Sequence, residues 1–279
     1  LQLTPVLVDV DMNNMNISLD GIRKAITPKT KAIVPVHLFG RAANMDAIME
    51  IAKEHNLYVI EDNAQAIGAD YTSKDGSKKK VGTIGHVAAT SFFPSKNLGC
   101  YGDGGAIFTN DDALAHKIRG IVNHGMYERY HHDVVGVNSR LDSIQAGVLK
   151  AKLPHLDSYN KARQVAARKY SLALSQNPNI WAPFICDSCD CHVFHQYVIR
   201  ILNGKRDGLL AHLQEKGIPC AIYYPIPLHS QKAYADARYN EADFPVTNQL
   251  VKEVIALPMH TELDDDQIQF ITEAVLEYV

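Results

Sequence analysis

Short apolar, β-branched runs alternate with amphipathic stretches through the first part of the chain. "PVLVDVD" reads as a strand, and "SLDGIRKAI" as a helix with Ser18 as its N-cap. "KAIVPVHLFG" reads as a strand ending in a loop, "NMDAIMEIAKEHN" as a helix capped by Asn44, and "LYVIEDNAQ" as a further strand. Strands apolar on both faces, separated by helices, predict a mainly parallel sheet covered by helices. "TSKDGSKKKVG" interrupts that rhythm as a polar hairpin around Asp75-Gly76, with Lys78 to Lys80 as a solvated run. "HVAATSFF" and "GGAIFTN" predict two more strands, and "DDALAHKIRGIVNHG" a helix whose acidic start suits its dipole.

The second half changes character. "LDSIQAGVLKAKL" is a helix that stops at Pro154, and a long helix follows as far as the region of Pro178. Then come a Cys/Pro loop, a strand "FHQYVIRIL", a helix from about Arg206 to Lys216, a short strand "PCAIYY" and a final helix from about Asp265. The expected organisation is a large α/β domain over residues 1–160 and a smaller C-terminal α/β domain over 161–279.

Charge and composition exclude several partners. The chain has 279 residues, 46% hydrophobic and 21% charged, with a net charge of −3. That is ordinary globular composition without a basic face, which argues against nucleic acid or an anionic membrane as the main partner. No apolar run reaches membrane-spanning length, and the N-terminus lacks the basic start of a signal peptide. Five cysteines, an odd number, predict free thiols in a reducing cytoplasm. "CDSCDC" reads as a flexible acidic loop, because no second pair at zinc spacing accompanies it; His192 and His195 follow closely, and a structural zinc is the alternative.

Two strands end in chemistry. "LYVIED" finishes with Glu61 and Asp62, and "ATSFFPSK" with Ser91 and Lys96. Ligands in open α/β sheets bind beyond the carboxyl ends of the strands, so Asp62 and Lys96 are expected to face one crevice. A structural ion pair would also explain one acid and one base. It would not explain a lysine framed by a proline, aromatics and glycines. Desolvation there lowers an amine's pKa and makes it a nucleophile suited to Schiff-base chemistry. Pyridoxal phosphate chemistry needs this lysine together with a carboxylate that keeps the pyridine nitrogen protonated.

"IEDNAQAIGA", "SFFPSKNLGCYGDGGAIFTND" and "GVNSRLDSIQAG" resemble the DegT/DnrJ-type sugar-nucleotide aminotransferases, pyridoxal phosphate enzymes of the aspartate-aminotransferase-like fold. "YYPIPLHSQ" and "LPMH" extend the resemblance towards the C-terminus. The resemblance implies that Lys96 forms the imine with the cofactor and shuttles protons. It implies that Asp62 pairs with the pyridinium nitrogen, Ala64 packs on the ring, Gln65 reaches the phenolic oxygen and Ser91 binds the phosphate. Asn138 would reach the phosphate of a neighbouring subunit, so a homodimer with the active site at its interface is expected. Each of Ser91, Gln65 and Asn138 also has a plain reading, as a strand end, a turn cap and a helix start.

"RYHHDVVGVNSRLD" is similar to one branch of that family, which aminates UDP-2-acetamido-2-deoxy-3-oxo-glucuronate with L-glutamate as donor. Arg140 suits a carboxylate of sugar or donor, since a guanidinium binds one through two parallel bonds. Tyr224 is expected near the sugar or its phosphates; His131 and His132 are read as exposed, and His229 is open. The resemblance places the enzyme in the cytoplasm, in bacterial surface-polysaccharide synthesis such as lipopolysaccharide O-antigen. The alternatives are a 4-keto sugar aminotransferase of the same family and a non-catalytic binding relic.

Family members carry further sheet and helix before "TPVLVDVD", including a helix N-terminus for the phosphate. The fold is therefore read as N-terminally incomplete, and weak or no cofactor binding is expected of this chain.

Overall fold

The structure is a computed structural model that describes residues 2–183, 185 and 191–279. Helices start where the sequence supplies an acceptor for orphan N–H groups. Ser18 accepts from Gly21 at the head of α1 (Leu19–Ala25), and Asn44 accepts from Ala47 at the head of α2 (Met45–Glu54). Between them lies β1 (Ala32–Ile33), cut short as the chain runs into Pro35, which has no N–H for a ladder. β2 (Tyr58–Asp62) follows, then a hairpin of β3 (Asp70–Thr72) and β4 (Lys78–Lys80) that turns at Gly76 with φ +83°. β5 (Val87–Ser91) and β6 (Gly105–Phe108) flank the loop that carries Lys96.

β1, β2, β5 and β6 form one sheet in that order, parallel except for the last pair. Asp62 sits opposite Ala89, so β2 and β5 end along the same edge of the sheet. Helix α2 seals one face by burying Met45, Ile48 and Ile51 with Ile33 and Val59.

"PVLVDVD" does not form the expected strand; only Val10 bridges to Ile17. Its polar side is drawn elsewhere. The Asp9 carboxylate accepts the Val246 and Thr247 N–H groups and the Thr247 hydroxyl, which ties the segment to the start of a distant helix.

α3 (Asp112–Val122) opens on Asp111, and an exposed hairpin of β7 (Met126–Glu128) and β8 (His131–His132) follows. α4 (Ser143–Lys152) passes through a single tight turn at Pro154 into the long α5 (Leu156–Leu174). The remainder is β9 (Ile180–Trp181), β10 (Tyr197–Ile201), α6 (Arg206–Glu215), α7 (Pro245–Glu253), β11 (Val254–Leu257) and α8 (Asp265–Tyr278). β10 is the centre of an antiparallel sheet between β11 and β9. It is buried on both faces: Tyr197, Ile199 and Ile201 pack against Tyr170 and Leu174 of α5, Leu209 and Leu213 of α6, and Val275 of α8, and Val198 on the other face packs with Phe39 and with Leu250 of α7. "PCAIYY" does not form the expected strand; it meets the outer edge of β11 through one bridge, Ala221 to Ala256.

The expectation of free thiols throughout needs correction: Cys100 and Cys220 are free, but Cys191 is disulfide-bonded. A disulfide-bonded Cys191 is no thiolate for a zinc ion. The rest of "CDSCDC" lies outside the described residues. Among the described residues no helix is long and apolar enough to cross a membrane.

Candidate active site

Successive side chains of a strand point to opposite faces, so β2 turns Glu61 inward when it turns Asp62 outward. Glu61 is fully buried. Its carboxylate accepts N–H groups from Gly82 (2.8 Å), Ile84 (2.8 Å) and Gly85 (2.6 Å), and a ring nitrogen of His37 at 2.9 Å. His37 Nδ1 accepts the Ala43 N–H, so the ring proton lies on Nε2 and is donated to Glu61. Burial pushes the Glu61 carboxyl up, but His37 and the Gly85 and Gly82 N–H groups outweigh it and leave the pKa below the ordinary value. The His37 N–H is also bonded to the Asp62 carbonyl, and the Asp62 N–H to Pro35. The buried acid therefore fixes the strand end that presents Asp62. Asp62 Oδ1 accepts the Ala64 N–H at 3.0 Å.

Lys96 stands in a loop closed on itself by bonds from Lys96 N–H to the Phe93 carbonyl and from Cys100 N–H to the Phe92 carbonyl. Gly99 permits the closure, since a Cβ there would lie 2.4 Å from the Pro94 carbonyl oxygen. The next side chain, Asn97, anchors the loop from below. Its Nδ2 donates to Asn160 of α5 and to the Val193 carbonyl, which leaves Oδ1 to face His195 Nδ1 at 3.3 Å. Lys96 is partly buried, and burial lowers its pKa against the opposing pull of Asp62. His195 is pushed down to about 3 by burial, Lys96 and Arg163, and is therefore a neutral ring at any ordinary pH. Of the sequence-predicted site residues, Asp62 is the one whose charge reaches the Lys96 amine.

Gln65 accepts the Phe39 N–H on Oε1 and donates from Nε2 to the Tyr224 hydroxyl at 3.1 Å. Ser91 Oγ accepts the Phe93 N–H at 3.2 Å, a turn contact that leaves its own proton available. Asn138 and Arg140 are exposed. Among the described residues neither bonds any of the other six, Asp62, Ala64, Gln65, Ser91, Lys96 or Tyr224; Asn138 only bridges to Asn123. His131 and His132 are exposed as expected, whereas His229 is half-buried and stacks on Phe244. Sequence reading assigned no role to His37 and Asn97, and weighed His195 only beside the cysteines. The one available signal was a glutamate at an inward position of an apolar strand, which requires a buried partner.

The DegT/DnrJ/EryC1/StrS aminotransferase family model matches residues 1–276. The chain is 48% identical over 276 residues to a "Pleiotropic regulatory protein" of Geobacillus stearothermophilus, covering 98% of this chain and 72% of that protein. It is 46% identical over 276 residues to a UDP-N-acetyl-3-dehydro-alpha-D-glucosamine 3-aminotransferase of Acidithiobacillus ferrooxidans, covering 98% and 71%. It is also 46% identical over 271 residues to a UDP-2-acetamido-2-deoxy-3-oxo-D-glucuronate aminotransferase of Pseudomonas aeruginosa, covering 97% and 72%. The crystal structure of S. venezuelae DesV in complex with a ketimine intermediate superposes with a TM-score of 0.92 at 40% identity, covering 99% of this chain and 72% of that one. Strand-end chemistry, fold and likeness agree, and the chain belongs to the DegT/DnrJ/EryC1/StrS aminotransferase family.

Proposed function

We propose that the protein transfers the amino group of L-glutamate to a UDP-linked 3-keto sugar, UDP-2-acetamido-2-deoxy-3-oxo-glucuronate, using pyridoxal phosphate. The observation that carries this reading is a partly buried lysine, in the loop that leaves β5, within the electrostatic reach of the carboxylate that ends the adjoining parallel strand β2. The names of the relatives similar at 46% identity support a UDP-linked 3-keto sugar as acceptor.

The residues fit the cofactor. Asp62 offers a carboxylate for a pyridinium nitrogen, and its backbone is pinned on both sides by Pro35 and His37. Gln65 has its amide oxygen engaged by Phe39, so its N–H groups face outward, as a phenolic oxygen requires. Ser91 retains a hydroxyl proton for a phosphate oxygen. When bound, the cofactor supplies an electron sink for the bond broken next to nitrogen. Lys96 Nζ, unprotonated more readily than an ordinary lysine, would take a proton from the donor's α-carbon in the first half-reaction and, in the second, deliver one to the sugar carbon that receives nitrogen. Arg140 serves a substrate carboxylate.

Asn138 and Arg140 lie in a surface that carries Tyr130, Val135 and Ile144, which are 75%, 97% and 79% exposed. Apolar exposure of this extent around two polar site residues supports a homodimer in which they serve the neighbouring subunit's site. The proposed setting is the cytoplasm, within surface-polysaccharide synthesis, where both substrates are charged and diffusible.

The test supplies 15N-labelled L-glutamate to the protein loaded with pyridoxal phosphate, in parallel with the UDP-3-keto uronate and with a 4-keto sugar nucleotide. The expected result is 2-oxoglutarate and a 15N-labelled 3-amino sugar, both abolished by Lys96→Ala. Label appearing at the 4-position of a 4-keto substrate instead, or turnover surviving Lys96→Ala, overturns the reading.

A further inference from the structure

Gln65 is only 9% exposed, and both ends of its amide are engaged. The Phe39 N–H at 2.5 Å must meet the oxygen, so the amide cannot be flipped, and the NH2 group faces Tyr224. The turn that supplies this N–H has no slack. Phe39 sits at φ +59°, a region few residues other than glycine adopt. Gly40 follows at φ +98°, where a Cβ would lie 2.9 Å from His195 N and 3.0 Å from the Gln65 carbonyl oxygen. One hydrogen of the NH2 group goes to the Tyr224 oxygen at 3.1 Å, which leaves the other directed by that bond. Tyr224 is half-exposed at the rim, so its own hydroxyl proton remains free for an oxygen of the nucleotide sugar.

We propose that Tyr224 is a positioning residue: by accepting one Gln65 hydrogen it aims the other at the phenolic oxygen of the cofactor. This rests on the reading that Gln65 contacts that oxygen. A donor aimed at the phenolic oxygen favours its deprotonated form and lowers the pH at which the cofactor–lysine chromophore gives up its proton. Tyr224 then links sugar binding to the cofactor, because a sugar oxygen that accepts its proton makes it a stronger acceptor for Gln65.

The experiment titrates the visible absorbance of the protein at saturating pyridoxal phosphate for wild type, Gln65→Leu, Tyr224→Phe and the double variant. It also follows the Gln65 side-chain amide by 15N NMR in cofactor-free wild type and Tyr224→Phe. Gln65→Leu is expected to raise the midpoint by on the order of one pH unit. Tyr224→Phe raises it by a smaller amount, and the double variant matches Gln65→Leu alone. The Gln65 amide signal moves in Tyr224→Phe without cofactor. Tyr224→Phe leaving the midpoint unchanged while Gln65→Leu moves it overturns the positioning role. Gln65→Leu leaving the midpoint unchanged overturns the underlying contact instead. Because Tyr224→Phe removes one hydroxyl from a half-exposed side chain, the fold is retained.

Discussion

The two ends of the proposed site are built in opposite ways. At the sheet edge, Glu61, Asp62, Gln65 and Asn97 have their side chains bonded within the chain. In the stretch from Tyr130 to Ile144, Asn138 and Arg140 are exposed and surrounded by exposed valines. Preorganisation is therefore complete on one side before any ligand arrives, and on the other it waits for a second surface. Changes at the sheet edge should register as lost stability, and changes in the exposed stretch as lost assembly or lost function only.

The largest expected effect is at the buried acid. Glu61→Gln places an NH2 group among four donors that all point at it. Breaking a buried charged network by changing one member costs about 3–5 kcal/mol. Urea unfolding should report that loss, while Arg140→Ala stays within about 0.5 kcal/mol of wild type. A Glu61→Gln protein as stable as wild type would erase the contrast between the two regions.

The next effect is a slope with pH. His195 and His192 are both pushed down to about 3, His195 chiefly by burial and His192 by burial and Arg41. An unfolded histidine takes up its proton near pH 6.5 or so. Below that point the unfolded chain binds protons that the native chain refuses, so stability falls as pH falls towards 3. Each ring contributes about 1.4 kcal/mol per pH unit across this window. Glu61, whose folded pKa is lowered, stabilises the fold above the carboxylate range and loses that contribution only at lower pH. Between about pH 6.5 and 4.5 the slope is thus a histidine slope. His195→Gln should halve it, read from urea midpoints across that window; an unchanged slope would mean that His195 is protonated in the native protein.

Much of the sheet edge was legible in the residues. β-branched runs and capping residues located α1, α2, β2 and β5, and the turn residues around Lys96 marked an amine that needed explaining. What stayed hidden depended on distant partners. "PVLVDVD" has a strand's pattern, yet Asp9 is claimed by the head of α7 more than two hundred residues away. β11 was missed because "VIAL" follows directly on α7 without a turn signal between them. Asn97 and His195 carried no local mark, since an asparagine in a turn and a histidine before a strand are ordinary. Only the packing of α5 against the Lys96 loop gives them work.

The smallest change in stability, and the sharpest separation of the two regions, comes from mixing subunits. Lys96→Ala and Asn138→Ala each inactivate their own protein if both residues serve the reaction. Neither should unfold it, since Lys96 is only partly buried and Asn138 is exposed. Suppose Asn138 serves the site of the neighbouring subunit. A dimer with one subunit of each kind then concentrates both lesions in one site and leaves the other intact. Equal mixing after dissociation puts half of the dimers in that form, so roughly one quarter of wild-type activity returns. If Asn138 served its own chain's Lys96, every site in the mixed dimer would carry a lesion and nothing would return. Adding Val135→Asp and Ile144→Asp to both partners should lower the sedimentation mass and remove the recovered activity together, because the exposed apolar surface and the shared site are then one interface.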